Sequence, residues 1–234
     1  MTTHSLKTYS DVAESPVAGE RFLLPGYGSG MNIEAQRDTA PADVRARLSH
    51  PPIAVVCHPH PLYGGTLTNK VAHTVAKTFA GMGVETLRFN FRGVGQSQGE
   101  FDHGLGEVND MLAAVSWLRE RYPEAPLWLA GFSFGAFVAL SGHKLARADR
   151  LLLVAPPVAM FEFPAEAGVE IPWCVIQGTE DEVVDSAQVV AWASNQIHVP
   201  KICTVAGGGH FFHGRLVTLK EMISAAWSNV SSGL

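Results

Sequence analysis

The stretch from Leu127 to Phe137 constrains the fold more than any other part of the chain. It begins as an apolar run typical of a buried strand, passes through Gly-Phe-Ser-Phe-Gly and continues into an apolar, helix-compatible segment. A strand that turns directly into a helix needs a tight corner, where side chains at Gly131 and Gly135 would collide with neighbouring backbone. We therefore expect a strained Ser133 at the apex, with its hydroxyl exposed beside helix N–H groups that favour negative charge. The pattern is that of a nucleophile elbow.

Strand-like and helix-like segments alternate from residue 53 onward. Strands are predicted at 53–57, 84–91, 126–130, 150–154, 173–177 and 201–205, and helices at 68–81, 104–121, 136–146, 186–196 and 216–230. Two shorter strands, at 21–24 and 31–36, come before them and are joined by a glycine-rich turn. The alternation predicts an α/β fold with a mostly parallel central sheet and helices on both faces. We expect one domain over 18–234, after a flexible tail over 1–17.

Composition narrows the class of protein and its partners. Hydrophobic residues make up 47% of the chain and charged residues 17%, which is ordinary for a globular enzyme. A net charge of −5 without a basic run argues against nucleic acid as a partner. No apolar stretch approaches the roughly 20 residues that span a bilayer, the N-terminus lacks an apolar signal core, and three cysteines fit a reducing compartment. We therefore expect a cytoplasmic protein without a membrane partner, either a monomer or a homodimer.

Ligands of parallel α/β sheets bind outside the carboxyl ends of the strands, and two loops there carry acid–base side chains. The acidic turn after strand 173–177 contains Asp181, which can turn back toward the elbow, and Asp185, which is expected to cap the next helix. After strand 201–205, three glycines precede His210. A histidine can take the proton of a serine nucleophile, and a carboxylate can fix the tautomer of that histidine.

Ser133, Asp181 and His210 are therefore the predicted catalytic residues, as nucleophile, acid and base. Since 23 of the 234 residues are glycine, the Gly-Phe-Ser-Phe-Gly pattern by itself also fits an ordinary glycine-rich turn. The three features occur in the chain order that accompanies the nucleophile elbow, each after a strand, and this order favours the catalytic interpretation.

The loop His-Pro-His-Pro-Leu-Tyr-Gly-Gly-Thr, residues 58–66, is expected to provide a backbone N–H donor for an oxyanion. Prolines cannot donate, so His60 is the first candidate, with Leu62 or Tyr63 in reserve. The side chains of His58 and His60 are expected to hydrogen-bond neighbouring loops rather than to take part in the chemistry.

Two other segments are assigned structural roles. The glycine-rich loop 92–99 does not have the G-x-G-x-x-G spacing of a dinucleotide site, so we expect no cofactor and a loop that frames the pocket. Three acidic residues come next, Asp102, Glu107 and Asp110, and they are expected to form a helix cap and a solvated face.

Several of these stretches together carry a resemblance to a known family. The stretches are VVCHPHPLYGGTLTNKV, FNFRGVGQSQGEF, GFSFGAFVAL, GTEDEVV and GGGHFFHG. Over about residues 50–220 the chain resembles the α/β-hydrolases, and most closely the small bacterial group without a lid that is related to dienelactone hydrolase. The resemblance implies an antiparallel strand among the first strands, Ser-Asp-His esterase chemistry without metal or cofactor, and an oxyanion donor at the Phe134 N–H. Dienelactone hydrolase itself has cysteine at the elbow, where this chain has Ser133.

The pocket and the function follow from these expectations. Only residues 155–171 lie between two predicted strands where many relatives insert a lid, which is too short for a cap domain. Phe161, with Met160 and Phe163, either forms an apolar wall of the pocket or packs its loop onto the domain, and the sequence leaves both open. Leu62, Tyr63 and Phe211 are expected to line the pocket together with Phe161. We expect a serine hydrolase that cleaves small to medium carboxylic esters through an acyl-enzyme.

Three alternatives stay open at this point. The same residues could cleave amides, as in a peptidase, and the fold could also serve as a non-catalytic scaffold. A metallohydrolase is the rival from another class, with His58, His60, His210 and His213 as ligands. No carboxylate follows the first histidine pair at metal-ligand spacing, so we expect no metal.

Overall fold

The computed structural model describes residues 6–8, 16–28 and 30–227. The strands in these residues are β1 (Arg21–Pro25), β2 (Asn32–Asp38), β3 (Ile53–Cys57), β4 (Glu85–Phe89), β5 (Leu127–Phe132), β6 (Arg150–Val154), β7 (Trp173–Gly178) and β8 (Lys201–Val205). The helices are α1 (Ala42–Arg45), α2 (Lys70–Gly81), α3 (Leu105–Arg121), α4 (Phe134–Gly142), α5 (Ser186–Ser194) and α6 (Leu216–Trp227), with a 3₁₀ turn at Pro61–Tyr63. Each predicted segment corresponds to an element, with ends that differ by up to four residues, and residues 228–230 of the last predicted helix lie outside the described residues.

The strands form one sheet in the order β1-β2-β4-β3-β5-β6-β7-β8. β2 runs antiparallel to both of its neighbours, and all pairs from β4 to β8 are parallel. This confirms the mostly parallel sheet and the antiparallel strand that the resemblance implied. The carboxyl ends of β3, β5, β6, β7 and β8 therefore lie in a row along one edge of the sheet, where the candidate loops begin.

Helices cover both faces of the sheet, as the alternation predicts. α2 and α6 pack on one face, and α3, α4 and α5 on the other, so that two hydrophobic clusters enclose the strands. β3 is buried along its whole length, which explains its uninterrupted apolar sequence. In α2 the side chains of Val71, Val75 and Phe79 recur at helical spacing and are all buried, and each contributes about 1.5–3 kcal/mol by leaving water.

The segment between β6 and β7 contains no helix or strand, so no cap domain covers this edge of the sheet. Most of the predicted tail, residues 1–5 and 9–15, lies outside the described residues, while the carbonyl of Lys7 accepts a hydrogen bond of 2.7 Å from the Leu23 N–H. Within the described ranges, no helix has the length and apolar character needed to cross a membrane.

Two acidic residues of α3 are buried, which corrects the expectation of a solvated face. The carboxylate of Glu107 accepts hydrogen bonds from the N–H groups of Asp102 and Gly104 at 2.8 and 2.7 Å. Asp110 accepts from the guanidinium and the backbone N–H of Arg92, at 2.8–3.3 Å. Both carboxylates therefore fasten the chain before α3 to the helix, and each buried charge has its donors.

The loop 92–99 does not frame the pocket, contrary to the sequence-based expectation. It is attached instead to β2, since the carboxylate of Glu34 accepts from the Gln96 N–H and the Asn90 side chain at 2.8 and 2.7 Å. The N–H of Gln98 donates to the carbonyl of Asn32 at 2.9 Å. The buried acidic residue on β2 thus holds the loop on the antiparallel side of the sheet, away from the ends of β5 and β7.

Candidate active site

Ser133 occupies the corner between β5 and α4. Its backbone has φ +54° and ψ −121°, a conformation that residues with side chains rarely adopt, and α4 begins at the next residue. A Cβ atom on Gly131 would lie 2.0 Å from the carbonyl oxygen of Gly135, and one on Gly135 would lie 2.4 Å from the carbonyl oxygen of Cys57. The two glycines therefore allow strand, helix and β3 to approach closely, for the steric reason that the sequence suggests.

The structure brings the three predicted side chains together in one hydrogen-bonded chain. Oγ of Ser133 lies 3.1 Å from Nε2 of His210, and Nδ1 of His210 lies 2.9 and 3.1 Å from the two carboxylate oxygens of Asp181. The Asp181 side chain is fully buried and that of His210 is 3% exposed, whereas Ser133 is half-buried. The buried pair thus ends at a hydroxyl that is open to the cavity.

The surroundings of Asp181 keep its carboxyl ionised. Burial raises the pKa of this carboxyl, but hydrogen bonds from His210 and from the N–H groups of Val184 and Val183 outweigh burial and bring the pKa below its ordinary value. The side-chain amide of Gln177, which is buried in β7, donates to the second carboxylate oxygen at 3.0 Å. An ionised carboxylate can only accept, so the proton of neutral His210 sits on Nδ1 and leaves Nε2 free to accept from Ser133.

The loops after β7 and β8 are held against each other at backbone level. The N–H of Glu180 donates to the carbonyl of Gly208 at 2.9 Å, and a Cβ atom on Gly178 would lie 2.2 Å from that same oxygen. The exposed carboxylate of Glu182 accepts from the His210 N–H at 3.0 Å. Asp185 caps α5, as expected, by accepting from the N–H groups of Ala187 and Gln188. These contacts explain how a loop of glycines holds a histidine at a fixed position beside Asp181.

Phe134 and His60, the predicted oxyanion donors, both lie on the wall of the cavity in front of Ser133. Phe134 is the first residue of α4, where helix N–H groups have no partner within the helix. The N–H of His60 has no acceptor among the described residues. The 3₁₀ turn fixes the His60 backbone, because its carbonyl accepts from the N–H groups of Tyr63 and Gly65 at 3.1 and 3.0 Å.

The cavity has a volume of about 610 Å³ and is mostly apolar. Its lining residues are Pro59, His60, Tyr63, Gly64, Gly65, Asn69, Ser133, Phe134, Pro157, Met160, Phe161, Val183, His210 and Phe211. The predicted pocket residues Tyr63, Phe161 and Phe211 are among them, together with Met160. Sequence reasoning missed Asn69 and Val183 because neither belongs to a motif, and their proximity to Ser133 depends on the sheet order.

Two predicted wall residues lie elsewhere. Leu62 is 68% exposed and does not line the cavity, because successive side chains of the 3₁₀ turn point in different directions and Tyr63 takes the position at the mouth. Phe163 packs instead against Phe137 and Trp192, with ring centroids 5.5 and 5.4 Å apart. Of Phe161 and Phe163, the two phenylalanines between β6 and β7, only Phe161 therefore lines the cavity.

His58 is committed to the protein backbone through both ring nitrogens. Nε2 accepts from the Phe91 N–H at 3.0 Å, and Nδ1 lies 2.6 Å from the carbonyl oxygen of Pro59, to which it donates. Burial lowers the pKa of this fully buried imidazole to about 4, against the opposing effect of the hydrogen bond to Pro59. The side chain of His58 thus has a structural role, and His213 is exposed. Among the residues described, no three His, Cys, Asp or Glu side chains are grouped to hold a metal ion.

Comparisons with known proteins identify the family of this chain. A family model described as serine aminopeptidase, S33, matches residues 51–166. An uncharacterized protein of Rickettsia prowazekii is 40% identical over 190 residues, which cover 77% of this chain and 80% of that protein.

Two solved structures are similar over almost their whole length. An α/β serine hydrolase without lid from Xanthomonas campestris is 34% identical, with a TM-score of 0.85 over 94% of this chain and 98% of that one. An α-beta serine hydrolase homologue from Coxiella burnetii is 36% identical, with a TM-score of 0.83 over 92% of this chain and 100% of that one. With this similarity, a serine at the elbow and no cap over the sheet edge, the chain belongs to the α/β-hydrolase superfamily, in the group of serine hydrolases without a lid.

Proposed function

We propose that this hydrolase cleaves small to medium carboxylic esters through an acyl-enzyme on Ser133. The observation that carries the proposal is the hydrogen-bonded chain from the hydroxyl of Ser133 through His210 to Asp181, with distances of 3.1 and 2.9 Å, which opens into a mostly apolar cavity. Nucleophile, base and orienting carboxylate in contact are the arrangement that acyl transfer requires.

In the proposed reaction, Nε2 of His210 takes the hydroxyl proton of Ser133 while Oγ attacks the ester carbonyl carbon. The carbonyl oxygen becomes an oxyanion that accepts hydrogen bonds from the N–H groups of Phe134 and His60. Collapse of this intermediate breaks the bond to the alkoxy oxygen, which leaves as the alcohol with the proton from His210. Water, activated by His210 in the same way, then releases the acid and restores Ser133.

Asp181 has the role of fixing the imidazole and stabilising its protonated form. Its low pKa supports this role, because the carboxylate stays ionised while His210 gains and loses a proton.

The lining of the cavity is mostly apolar, and Phe161, Met160 and Phe211 lie on it around the nucleophile, which favours an ester with an apolar acyl group. A small-molecule ester is therefore the proposed substrate. The proposed location is the cytosol, where the three free thiols would stay reduced.

A peptidase or amidase activity is the second candidate, because the matching family model is described as serine aminopeptidase. The same residues could cleave an amide, provided that His210 delivers its proton to the leaving amine before the intermediate collapses. Parallel assays with p-nitrophenyl esters and aminoacyl anilides separate the two functions. A preference for the anilides would favour the peptidase.

The relation of this chain to dienelactone hydrolase, which the sequence resemblance implies, stays a prediction.

The substitution Ser133→Ala tests the mechanism. We expect kcat for ester hydrolysis to fall on the order of 10⁴-fold or more, while the protein stays folded. The matched control is Ser141→Ala, which removes an exposed hydroxyl from α4, the helix that follows Ser133; among the described residues this hydroxyl bonds only to the carbonyl of Phe137. Activity retained by Ser133→Ala, or lost from the wild type on exhaustive EDTA treatment and restored by zinc, would refute the serine mechanism in favour of the metallohydrolase.

A further inference from the structure

Two side chains in the cavity wall, those of Asn69 and His60, use their hydrogen-bond acceptor atoms to bind backbone N–H groups. Oδ1 of Asn69 caps α2 by accepting from the N–H groups of Val71 and Ala72 at 2.9 and 3.3 Å. Nδ1 of His60 caps the 3₁₀ turn by accepting from the Leu62 N–H at 3.2 Å. Both residues thus use the same device, an N-cap that faces the cavity.

The atoms that remain on these two side chains are donors. With Oδ1 held by the helix, the orientation of the Asn69 amide is determined and its NH₂ group is the uncommitted end. Burial lowers the pKa of His60, while the nearby Glu107 raises this pKa and His103 lowers it further. The ring is therefore neutral near pH 7, and because Nδ1 accepts a hydrogen bond, its proton is on Nε2. Neither Nδ2 of Asn69 nor Nε2 of His60 has an acceptor among the described residues.

The remainder of the lining offers no charge to a substrate. None of the lining residues is Lys, Arg, Asp or Glu. The ring of His60 lies among the rings of Tyr63, Phe134 and Phe161, with centroids 4.7, 5.0 and 6.0 Å away. A carboxylate that enters this cavity would leave water without meeting a cation, which is costly, whereas a neutral oxygen would meet two free donors.

We propose that the cavity selects neutral esters that carry a second hydrogen-bond acceptor, such as a ketone, an ether oxygen or a further ester carbonyl, and that Asn69 binds this oxygen. The inference rests on the proposed ester hydrolysis and names its substrate class. Asn69 acts here as a specificity-determining residue. Nε2 of His60, the residue that caps the 3₁₀ turn, is a second donor.

Methyl esters of similar size test the substrate class without an acceptor in the leaving group. The set is methyl pentanoate, its 3-oxo and 4-oxo derivatives, and monomethyl succinate, which has a carboxylate in place of the terminal acetyl group. We expect kcat/KM to be highest for one of the oxo esters and lowest for the charged ester. Equal values for the oxo esters and methyl pentanoate would overturn the inference, as would a preference for the charged ester.

The substitution Asn69→Ser withdraws the amide donor, because serine caps a helix about as well as asparagine but has no NH₂ group and keeps its hydroxyl on a shorter side chain at the cap. We expect the ratio of kcat/KM for the preferred oxo ester to that for methyl pentanoate to fall about tenfold, as for one lost hydrogen bond. Asn69→Asp, which keeps the cap and replaces the donor with an acceptor, should lower the ratio further. The control is Asp185→Ser, a cap exchange at α5 outside the cavity, which should leave the ratio unchanged.

The outcomes separate this inference from the proposed function. If the wild type cleaves none of the methyl or p-nitrophenyl esters, the ester hydrolase itself is refuted. If it cleaves them and both Asn69 variants, at a melting temperature like that of Asp185→Ser, keep the wild-type ratio, only the role of Asn69 is refuted.

Discussion

The buried imidazole of His58 should make the stability of this protein depend on pH in a predictable way. Its pKa is about 4 in the folded chain, against an ordinary 6.5, chiefly because burial disfavours the charged ring. A proton on Nε2 would also remove the acceptor of the Phe91 N–H bond, which is 3.0 Å long. The folded state therefore resists protonation at this residue, whereas the unfolded chain does not.

The sign and size follow from the two pKa values. Between pH 6.5 and 4 the unfolded chain binds a proton on His58 that the folded chain does not bind. The contribution of neutral His58 to the free energy of unfolding is therefore present above pH 6.5 and is lost as the pH falls toward 4. From pH 7.5 to 5 this single group should lower the free energy of unfolding by about 2 kcal/mol.

The variant His58→Gln removes the titration and retains an acceptor, since the amide oxygen of glutamine can take the position of Nε2 opposite the Phe91 N–H. The free energy of unfolding of wild type and variant is measured by urea denaturation at pH 7.5 and at pH 5. The variant should lose about 2 kcal/mol less than the wild type over this range. Other groups titrate in both proteins and cancel in the difference.

The control is His50→Gln, which replaces an exposed histidine and should retain the wild-type pH dependence. Equal losses in wild type and His58→Gln would refute the reasoning, because they would mean that His58 accepts its proton in the folded state. A larger loss in the variant would have the same consequence.

The remaining predictions concern the site and its corner. Asp181→Asn should reduce kcat on the order of 10⁴-fold, because His210 would be held in the wrong tautomer. Asp185→Asn, which exchanges one helix cap for another, should retain activity in the same steady-state assay. An inactive Asp185→Asn together with an active Asp181→Asn would mean that the wrong carboxylate is assigned. Gly135→Ala should lower both activity and the melting temperature, because its Cβ atom would lie 2.4 Å from the carbonyl oxygen of Cys57; a variant with wild-type values in both would contradict the steric account of the elbow.

Features that depend on neighbours in sequence were predictable. The strand of Leu127–Phe132, the glycines at the corner and the alternation of elements all follow from local pattern and local sterics. The ends were less accurate, since β5 extends two residues beyond the predicted end at 130 and α4 begins two residues before 136. The last residues of β5 pair with β3 and β6, which the sequence does not specify, and α4 begins directly after the strained Ser133.

Burial of polar groups was not predictable from the same pattern. Asp110 resembles a solvated helix residue until Arg92, 18 positions earlier, is seen to bond its carboxylate. Gln177 gives no signal inside an apolar strand, and its contact with Asp181 becomes visible only in the folded chain. In each case the partner decides whether a polar side chain faces water, and pairing across loops leaves no periodic trace in the sequence.

By itself, the sequence determined the class of fold, the strained corner at Ser133 and the order in which nucleophile, acid and histidine follow their strands, because strand and helix patterns and turn chemistry are local. Only the tertiary structure decided that the ring of His210 lies 3.1 Å from Ser133, which is 77 residues away, and that Asn69 lies in the same cavity. Such contacts depend on the order of strands in the sheet, and that order results from the packing of helices on both faces rather than from any one segment.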